Sequence, residues 1–222
     1  MSCKKERSMG IQVKDPAATA HTRSRYNLLA PIYDLMEAPV ERLFYRGWRR
    51  TLWHEVQGPE VLELGVGTGK NIPHYPAEAH VTAVDLSARM LRRARRVLQK
   101  HPRKRAALLE MDIQALDFPD ETFDEAVATF VFCSVPDPVL GLREALRVTR
   151  QGGRLHLLEH MRADAPYLGR LMDLLDPVIH WLTGVHIARR TVENVTQAGW
   201  TIDRAVPLST ASIFRKIEAH KP

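Results

Sequence analysis

Cysteines are scarce in this sequence and long apolar runs are missing, and both features narrow what the protein can be. Two cysteines, Cys3 and Cys133, lie far apart in a chain of 222 residues. Such a pair makes neither a disulfide framework nor a zinc site, which fits a reducing compartment. No apolar stretch approaches the roughly 20 residues that a membrane-spanning helix needs. The charged start lacks the apolar centre of a secretory signal, so we predict a flexible arm over residues 1–24 and a cytoplasmic protein.

Positive charge is concentrated in one stretch. The formal net charge is +6, and residues 89–105 contain nine Lys or Arg and no acidic residue. A run of this kind is typical of a solvated helix face, and it also suits contact with an anionic membrane surface or with nucleic acid. No aromatic residue interleaves with it, so it does not form a platform on which bases could stack. Charge alone leaves the membrane and the solvated surface both open.

Short apolar runs alternate with helical patterns in residues 58–222. The predicted strands are residues 60–65, 80–85, 107–112, 124–132 and 154–160. Helices are predicted between them at 87–100, opened by Ser87, and at 138–150, opened by Asp137 and Pro138. Such alternation predicts an α/β core with a parallel sheet and helices on both faces. Ligands of these sheets bind at the carboxyl ends of the strands.

Two further segments are apolar at helical spacing. Residues 25–57 are aromatic-rich, and we interpret them as an N-terminal helical lid. A helical insert is predicted at about 161–184, where Leu168, Leu171, Met172 and Leu175 recur at i, i+3, i+4 and i+7. Both segments could pack against the core, cover the crevice or face an apolar substrate or a membrane.

The stretch 61-VLELGVGTGKNIPHYP-76 places three glycines directly after the first predicted strand. Repeated glycines allow a sharp turn and a close approach of the backbone to a ligand. The spacing of Gly65, Gly67 and Gly69 differs from the G-x-G-x-x-G of dinucleotide sites, and no Lys-Ser pair follows. We therefore predict a ligand without a pyrophosphate.

Acidic residues end the next two strands. Asp85 can accept hydrogen bonds from two ribose hydroxyls. Asp112 and Ile113 can meet an adenine edge with a carboxylate, a backbone N–H and an apolar side chain. The glycine loop, Asp85 and the pair Asp112 and Ile113 follow one another at the ends of three successive strands. This order predicts a ligand that contains adenosine.

The stretches 61–76, 82–95, 112–138 and 144–160 resemble the class I S-adenosylmethionine-dependent methyltransferases. The nearest branch is the small-molecule and lipid one, with the ubiquinone/menaquinone-biosynthesis methyltransferases and the bacterial phosphatidylethanolamine N-methyltransferases. The motifs 131-VFCSVPDP-138, 157-LLEH-160 and 176-DPVIHWLTGVHIARRT-191 are similar to those of the animal methyltransferase-like thiol methyltransferases. The resemblance implies a Rossmann-like class I methyltransferase fold. Its sheet would have seven mostly parallel strands with helices on both faces, and residues 201–206 and 211–220 would supply the last two.

The resemblance also implies site residues for S-adenosyl-L-methionine and its product S-adenosyl-L-homocysteine. The glycines would wrap the methionine part, with Glu63 near its amino group, and the tyrosines would belong to the lid. Thr129 and Phe130 would face the sulfonium. The implied cofactor-binding residues are Tyr26, Glu63, Gly65, Gly67, Gly69, Asp85, Leu86, Met90, Asp112, Ile113, Thr129 and Phe130.

Methyl transfer from a sulfonium is an in-line displacement that needs positioning of the acceptor and exclusion of water. No metal is expected, since the histidines lack zinc-type spacing. A base near the acceptor would help, and the catalytic candidates are His160, directly after the fifth strand, and Tyr33 in the lid. His186 and Asp137 are weaker candidates. We interpret Cys133 as a small buried residue.

The expected acceptor is a lipid or lipophilic small molecule, with phosphatidylethanolamine-type N-methylation as the leading hypothesis and peripheral contact with the inner face of an anionic membrane. Thiol S-methylation and quinone C-methylation remain open. Nucleic acid is disfavoured because residues 134–137, Ser-Val-Pro-Asp, differ from the Asn/Asp-Pro-Pro-aromatic pattern of base-amine methyltransferases. A cofactor-binding protein without catalysis is the remaining alternative. No obligate protein partner is indicated, and Arg189 and Arg190 could hold a phosphate head group.

Overall fold

The computed structural model describes residues 15–209 and 211–222 of the chain. Its strands are β1 Glu60–Leu64, β2 His80–Asp85, β3 Arg105–Glu110, β4 Phe123–Thr129, β5 Thr149–His160, β6 Thr201–Pro207 and β7 Phe214–His220. They form one sheet in the order β3-β2-β1-β4-β5-β7-β6. β7 runs antiparallel to β5 and β6, and the other pairs are parallel. The predicted seven-stranded, mostly parallel sheet is confirmed.

The helices are α1 Pro16–Val40, α2 Arg46–His54, α3 Ala88–Gln99, α4 Pro138–Val148, α5 Pro166–Thr183 and α6 Thr191–Gln197. Two of them begin at the predicted caps: the Ser87 side chain accepts from Met90 N, and the Asp137 side chain accepts from Leu140 N. α5 ends at Gly184, which adopts the left-handed conformation with φ of 76°.

Helices cover both faces of the sheet. On one face Val61 belongs to an apolar cluster with residues of α2 and α3. On the other, Leu62 belongs to a cluster with residues of α4 and α6. β1 is therefore buried on both sides, as its continuous apolar run predicts.

The N-terminal helix begins earlier in the chain than predicted. α1 begins at Pro16, inside the predicted arm 1–24, and residues 1–14 of that arm lie outside the described residues. The helix also continues through Pro31 and Pro39, and a π-helical turn, Glu41–Tyr45, follows before α2. Because Pro39 has no N–H to donate, it removes a helical hydrogen bond just before this irregular turn.

The sheet order reverses between β1 and β4. β1 pairs with β2 on one side and with β4 on the other, so the connections that leave these strands diverge. This switch opens a crevice at the carboxyl ends of the strands, which is where open α/β sheets bind their ligands.

Candidate functional site

The glycine loop follows β1 at this crevice. Gly65, Gly67 and Gly69 all adopt positive φ, at 71°, 54° and 89°. A Cβ on Gly65 would meet Val131 and one on Gly69 would meet Ile72 and the backbone of Ala94, whereas one on Gly67 would meet nothing within 4 Å. The outer two glycines therefore allow close packing within the protein, and Gly67 borders open space.

That space is a solvent-open cleft of about 860 Å³. The predicted site residues that line it are Tyr26, Tyr33, Gly65, Gly67, Asp85, Leu86, Met90, Asp112, Ile113, Thr129 and Phe130. Of the remaining ones, Glu63 and Gly69 do not line the cleft, and His160 lies in an adjoining cavity.

Asp85 is the last residue of β2, and its carboxylate binds the backbone of the glycine loop. Its Oδ2 accepts from Gly67 N at 2.8 Å and its Oδ1 accepts from Ser87 N at 2.8 Å. Burial raises the pKa of this carboxyl to about 6. These two hydrogen bonds fix the orientation of the carboxylate at the wall of the cleft. A carboxylate that binds two neighbouring hydroxyl groups of a ligand needs such a fixed orientation.

Asp112 is also fixed by its neighbours. Its Oδ1 accepts from Gln114 N at 2.9 Å, and its carboxylate accepts from Gln114 Nε2. Thr19 of α1 donates to Oδ2 at 3.4 Å, which ties the N-terminal helix to this strand end. Ile113 is buried beside it, so an acid and an apolar side chain stand together as predicted.

Glu63 is fully buried and does not line the cleft. Its Oε1 accepts from Asn71 Nδ2 at 2.5 Å and its Oε2 accepts from the Tyr75 hydroxyl. Burial raises the pKa of Glu63 to about 7. Both oxygens are already bonded within the protein, so any effect on a ligand would pass through Asn71.

Arg49 is a cleft residue that the sequence patterns did not predict. It is 6% exposed, and its guanidinium donates to Asn71 Oδ1 at 3.1 Å and to Thr129 Oγ1 at 2.5 Å. Its Cζ lies 5.1 Å from the centre of the Phe130 ring. The sequence does contain one indication of this position. Arg49, Leu52 and Trp53 are spaced at i, i+3 and i+4, so Arg49 lies on the same face of α2 as the two buried apolar residues. The Nε of Arg49 also pairs with the Glu41 carboxylate at 3.3 Å. This buried cation at the end of β4 therefore already has one anionic partner, and it can also bind an anionic group of a ligand in the cleft.

A second cavity of about 1130 Å³ opens beside the cleft. The two share Thr22, Tyr26, Tyr33 and Phe130. Its other lining residues are Arg25, Leu29, Tyr45, Cys133, His160, Thr183, Gly184, Val185, Ile187 and Phe214. None of these fourteen described residues is Asp or Glu. The cavity is therefore mainly apolar and aromatic, and its wall contains residues of α1 and α5.

His160 ends β5 inside this second cavity. Its ring packs against Phe214 with the ring centres 5.3 Å apart. Burial lowers the pKa of His160, so the imidazole is neutral near pH 7. A neutral imidazole in an apolar cavity next to the cleft can accept a proton.

The weaker candidates have structural partners. His186 Nδ1 lies 2.7 Å from Asp176 Oδ2, and its ring stacks on His180. Asp137 caps α4. Cys133 is buried, as predicted, and lines the second cavity. Among the described residues, no group of three or more His, Cys, Asp or Glu could hold a metal ion. No helix in the same residues is both long and apolar enough to span a bilayer.

Known proteins share this fold and these motifs. A family model described as a methyltransferase domain matches residues 62–157. A phosphatidylethanolamine N-methyltransferase of Cereibacter sphaeroides is 38% identical over 173 residues, which cover 75% of this chain and 82% of the relative. A ubiquinone/menaquinone biosynthesis C-methyltransferase of Bradyrhizobium diazoefficiens is 30% identical over 176 residues, covering 72% and 69%.

The fold is similar to solved structures as well. A SAM-dependent methyltransferase from Aquifex aeolicus superposes with a TM-score of 0.65 at 20% identity, covering 87% of this chain and 98% of the other. Together with the glycine loop and the strand-end acids, these similarities show that the chain belongs to the class I S-adenosylmethionine-dependent methyltransferases.

Proposed function

We propose that this methyltransferase methylates the amino group of a membrane lipid of the phosphatidylethanolamine type. The observation that carries the proposal is the apolar second cavity, which adjoins the cleft and is lined by α1 and by the C-terminal end of α5, two helices with exposed apolar stripes. The similarity to a phosphatidylethanolamine N-methyltransferase supports it.

The cleft fits S-adenosylmethionine. Asp85 is oriented to accept from both ribose hydroxyls, and Asp112 with Ile113 offers the polar and apolar contacts that an adenine needs. Gly67 leaves room for the methionine part. At the other end Arg49 supplies a buried guanidinium for the methionine carboxylate. The ribose, the adenine and the carboxylate of the ligand thereby each have a partner.

Asp85→Ala is expected to weaken S-adenosylmethionine binding by roughly 2–4 kcal/mol, because two charge-assisted hydrogen bonds to the ribose are lost. Calorimetry measures the affinity, and circular dichroism checks the fold. The matched control is Glu110→Ala, since Glu110 pairs with Asp85 across the β2–β3 ladder but is exposed outside the cleft. If Asp85→Ala is folded and binds S-adenosylmethionine with unchanged affinity, Asp85 does not bind the ribose.

Binding should also depend on pH through the same carboxyl. The ribose hydroxyls donate to the ionised form, and the pKa of Asp85 is raised to about 6. Below that pH protonation competes with the ligand, so Asp85 should contribute a loss of up to ~10-fold in affinity per pH unit. This contribution should be absent in Asp85→Ala.

The second cavity suits an amine acceptor. A substrate ammonium must lose its proton before its nitrogen can attack the methyl group. The apolar wall disfavours the charged form, and neutral His160 can accept the proton. The rings of Tyr45, Phe130 and Phe214 pack together in the wall of this cavity, where they can stabilise the cation that methylation produces.

Two helices at this cavity expose apolar stripes. On α5 the exposed residues, spaced by three or four, are Tyr167, Leu171, Leu174, Val178 and Trp181, and on α1 they are Leu28, Ile32 and Leu35. Arg25 of α1 joins the helices by donating to the carbonyls of His180, Trp181 and Leu182. Exposed stripes of this length suit insertion into the bilayer interface, which would deliver a lipid to the cavity between the helices.

Basic residues accompany the apolar stripes. α3 packs along α1, where Arg93 pairs with Asp34 at 2.6 Å. Arg92, Arg95 and Arg96 on the same helix are exposed and carry further positive charge. Each cation near an anionic surface contributes on the order of 1 kcal/mol, so this helix would strengthen binding to anionic membranes.

Replacing Leu171, Leu175 and Trp181 with Gln should reduce binding to anionic vesicles at least ~10-fold, because three apolar side chains no longer insert. S-adenosylmethionine affinity should stay unchanged, since none of them lines the cleft. Vesicle sedimentation and calorimetry measure the two quantities. The control is Leu109→Gln, which changes an exposed leucine on β3. Vesicle binding equal to that of the wild type would contradict insertion through α5.

Quinone and thiol acceptors are the competing hypotheses. The similarity to a ubiquinone/menaquinone biosynthesis C-methyltransferase supports a quinone acceptor. The motifs at 131–138 and 157–160 support a thiol acceptor. Neutral His160 could deprotonate either acceptor, so the discriminating observation is which one accepts a labelled methyl group.

A further inference from the structure

We infer that the protein has a separate binding site for a phosphate oxyanion, located between the end of β5, the start of α6 and β7. A cavity of about 410 Å³ lies there, apart from the cleft and the second cavity. Four arginines line it, Arg162, Arg189, Arg190 and Arg215, against the two carboxylates of Asp164 and Glu193.

Three of the four arginines pair with carboxylates that are more exposed than the arginines themselves. The side chains of Arg162 and Arg215 are 22% and 15% exposed. Their partners Asp173 and Asp164 are 43% and 69% exposed, and at the third pair, 3.7 Å apart, Arg190 is 59% and Glu193 66% exposed. Arg162 is held by both carboxylate oxygens of Asp173 and stays paired. The single exposed carboxylates on Arg215 and Arg190 are weaker partners, which an incoming anion can displace.

Two buried donors at this cavity have no acceptor. Thr191 is fully buried and its Oγ1 has no hydrogen-bond partner, and the same holds for Nε of Arg189. Burial also lowers the pKa of Arg189, whose Nη2 donates to the carbonyl of Val135 at 2.7 Å. An unsatisfied buried donor is costly and calls for an acceptor. Phosphate oxygens are strong acceptors that match arginine geometry.

The cavity shares a wall with the proposed acceptor cavity. Within residues 185–190, Val185 and Ile187 line the second cavity, and Arg189 and Arg190 line the cationic one. This segment is attached to the end of β5 because Arg162 N donates to Arg189 O at 2.9 Å. A bound phosphate would hold the segment in place. The phosphate could belong to a lipid head group or be free in solution.

Thermal unfolding and calorimetry with inorganic phosphate, and with a soluble short-chain phosphatidic acid, test this site. Chloride at equal ionic strength serves as the control salt. Wild type should be stabilised saturably by at least one of the two phosphates. Thr191→Val removes one unsatisfied donor at nearly constant volume, and Arg215→Gln removes one cation. Each should weaken phosphate binding ~10-fold or more. Arg204→Gln, an exposed arginine paired with Glu218, should not.

The outcomes are distinct. Binding of inorganic phosphate identifies a free phosphate site, and binding of the lipid alone identifies a head-group site. If neither stabilises the wild type beyond chloride, water fills the cavity and the inference is wrong. It is equally wrong if Thr191→Val and Arg215→Gln, when folded, bind phosphate like the wild type. These measurements do not require methyl transfer, so they test the phosphate site independently of the proposed lipid N-methylation.

Discussion

Gly67→Val is expected to abolish S-adenosylmethionine binding while the protein remains folded. A Cβ at this position meets no protein atom within 4 Å, so the fold can accommodate it. The branched side chain would instead occupy the cleft that Gly67 lines, where the methionine part of the ligand is expected. The φ of 54° adds a strain of about 1–3 kcal/mol for a residue other than glycine. Calorimetry measures the binding and thermal unfolding measures the strain.

Gly152→Val is the matched control. Gly152 has a φ of 71°, and a Cβ added to it would also meet nothing within 4 Å, but it lies at the far end of β5 from His160. The control should therefore lose a similar amount of stability and bind S-adenosylmethionine normally. If Gly67→Val binds within a few-fold of the wild type, the glycine loop does not enclose the ligand.

His160→Ala is expected to lower kcat by roughly 10²–10⁴-fold, the range for loss of a positioned general base. The affinity for S-adenosylmethionine should be unchanged, because His160 lines the second cavity and not the cleft. Steady-state kinetics with the lipid acceptor and calorimetry with S-adenosylmethionine separate the two effects.

The pH profile distinguishes a base from a packing residue. In the wild type, activity should fall as the pH drops through the pKa of His160, which burial holds below its usual value. This loss should disappear in His160→Ala, and added imidazole should restore part of the activity. His80→Ala is the control, since His80 is exposed on β2, pairs with Glu60 and lines neither the cleft nor the second cavity. A kcat for His160→Ala within a few-fold of the wild type would show that another group accepts the proton.

The fold and the wall of the cleft were predictable because short-range patterns specify them. β1 and β4 are short apolar runs that are followed by turns. Ser87 caps α3, and serine is a residue type that helix N-caps favour. Strand-end residues meet at one edge of a parallel sheet, which is why Asp85 and Asp112 lie in the same cleft.

Features that depend on tertiary contacts were not predictable. The spacing of Arg49 with Leu52 and Trp53 indicates the buried face of α2, but only the packing of α2 brings Arg49 to Thr129. Arg25 binds carbonyls at the end of α5, more than 150 residues further along the chain. Glu63 does not line the cleft, and its carboxylate binds Asn71 and Tyr75, both in the region after the glycine loop. Spacing along the chain carries no information about such contacts.

Transfer of the methyl group from labelled S-adenosylmethionine is the measurement that tests the proposed function most directly. The protein would be incubated with anionic vesicles containing phosphatidylethanolamine, and in parallel with an alkyl thiol and with a demethylated quinol. We expect label in the lipid amine, dependent on His160 and reduced by the α5 triple substitution. Label in the thiol or the quinol, with none in the lipid, would contradict lipid N-methylation.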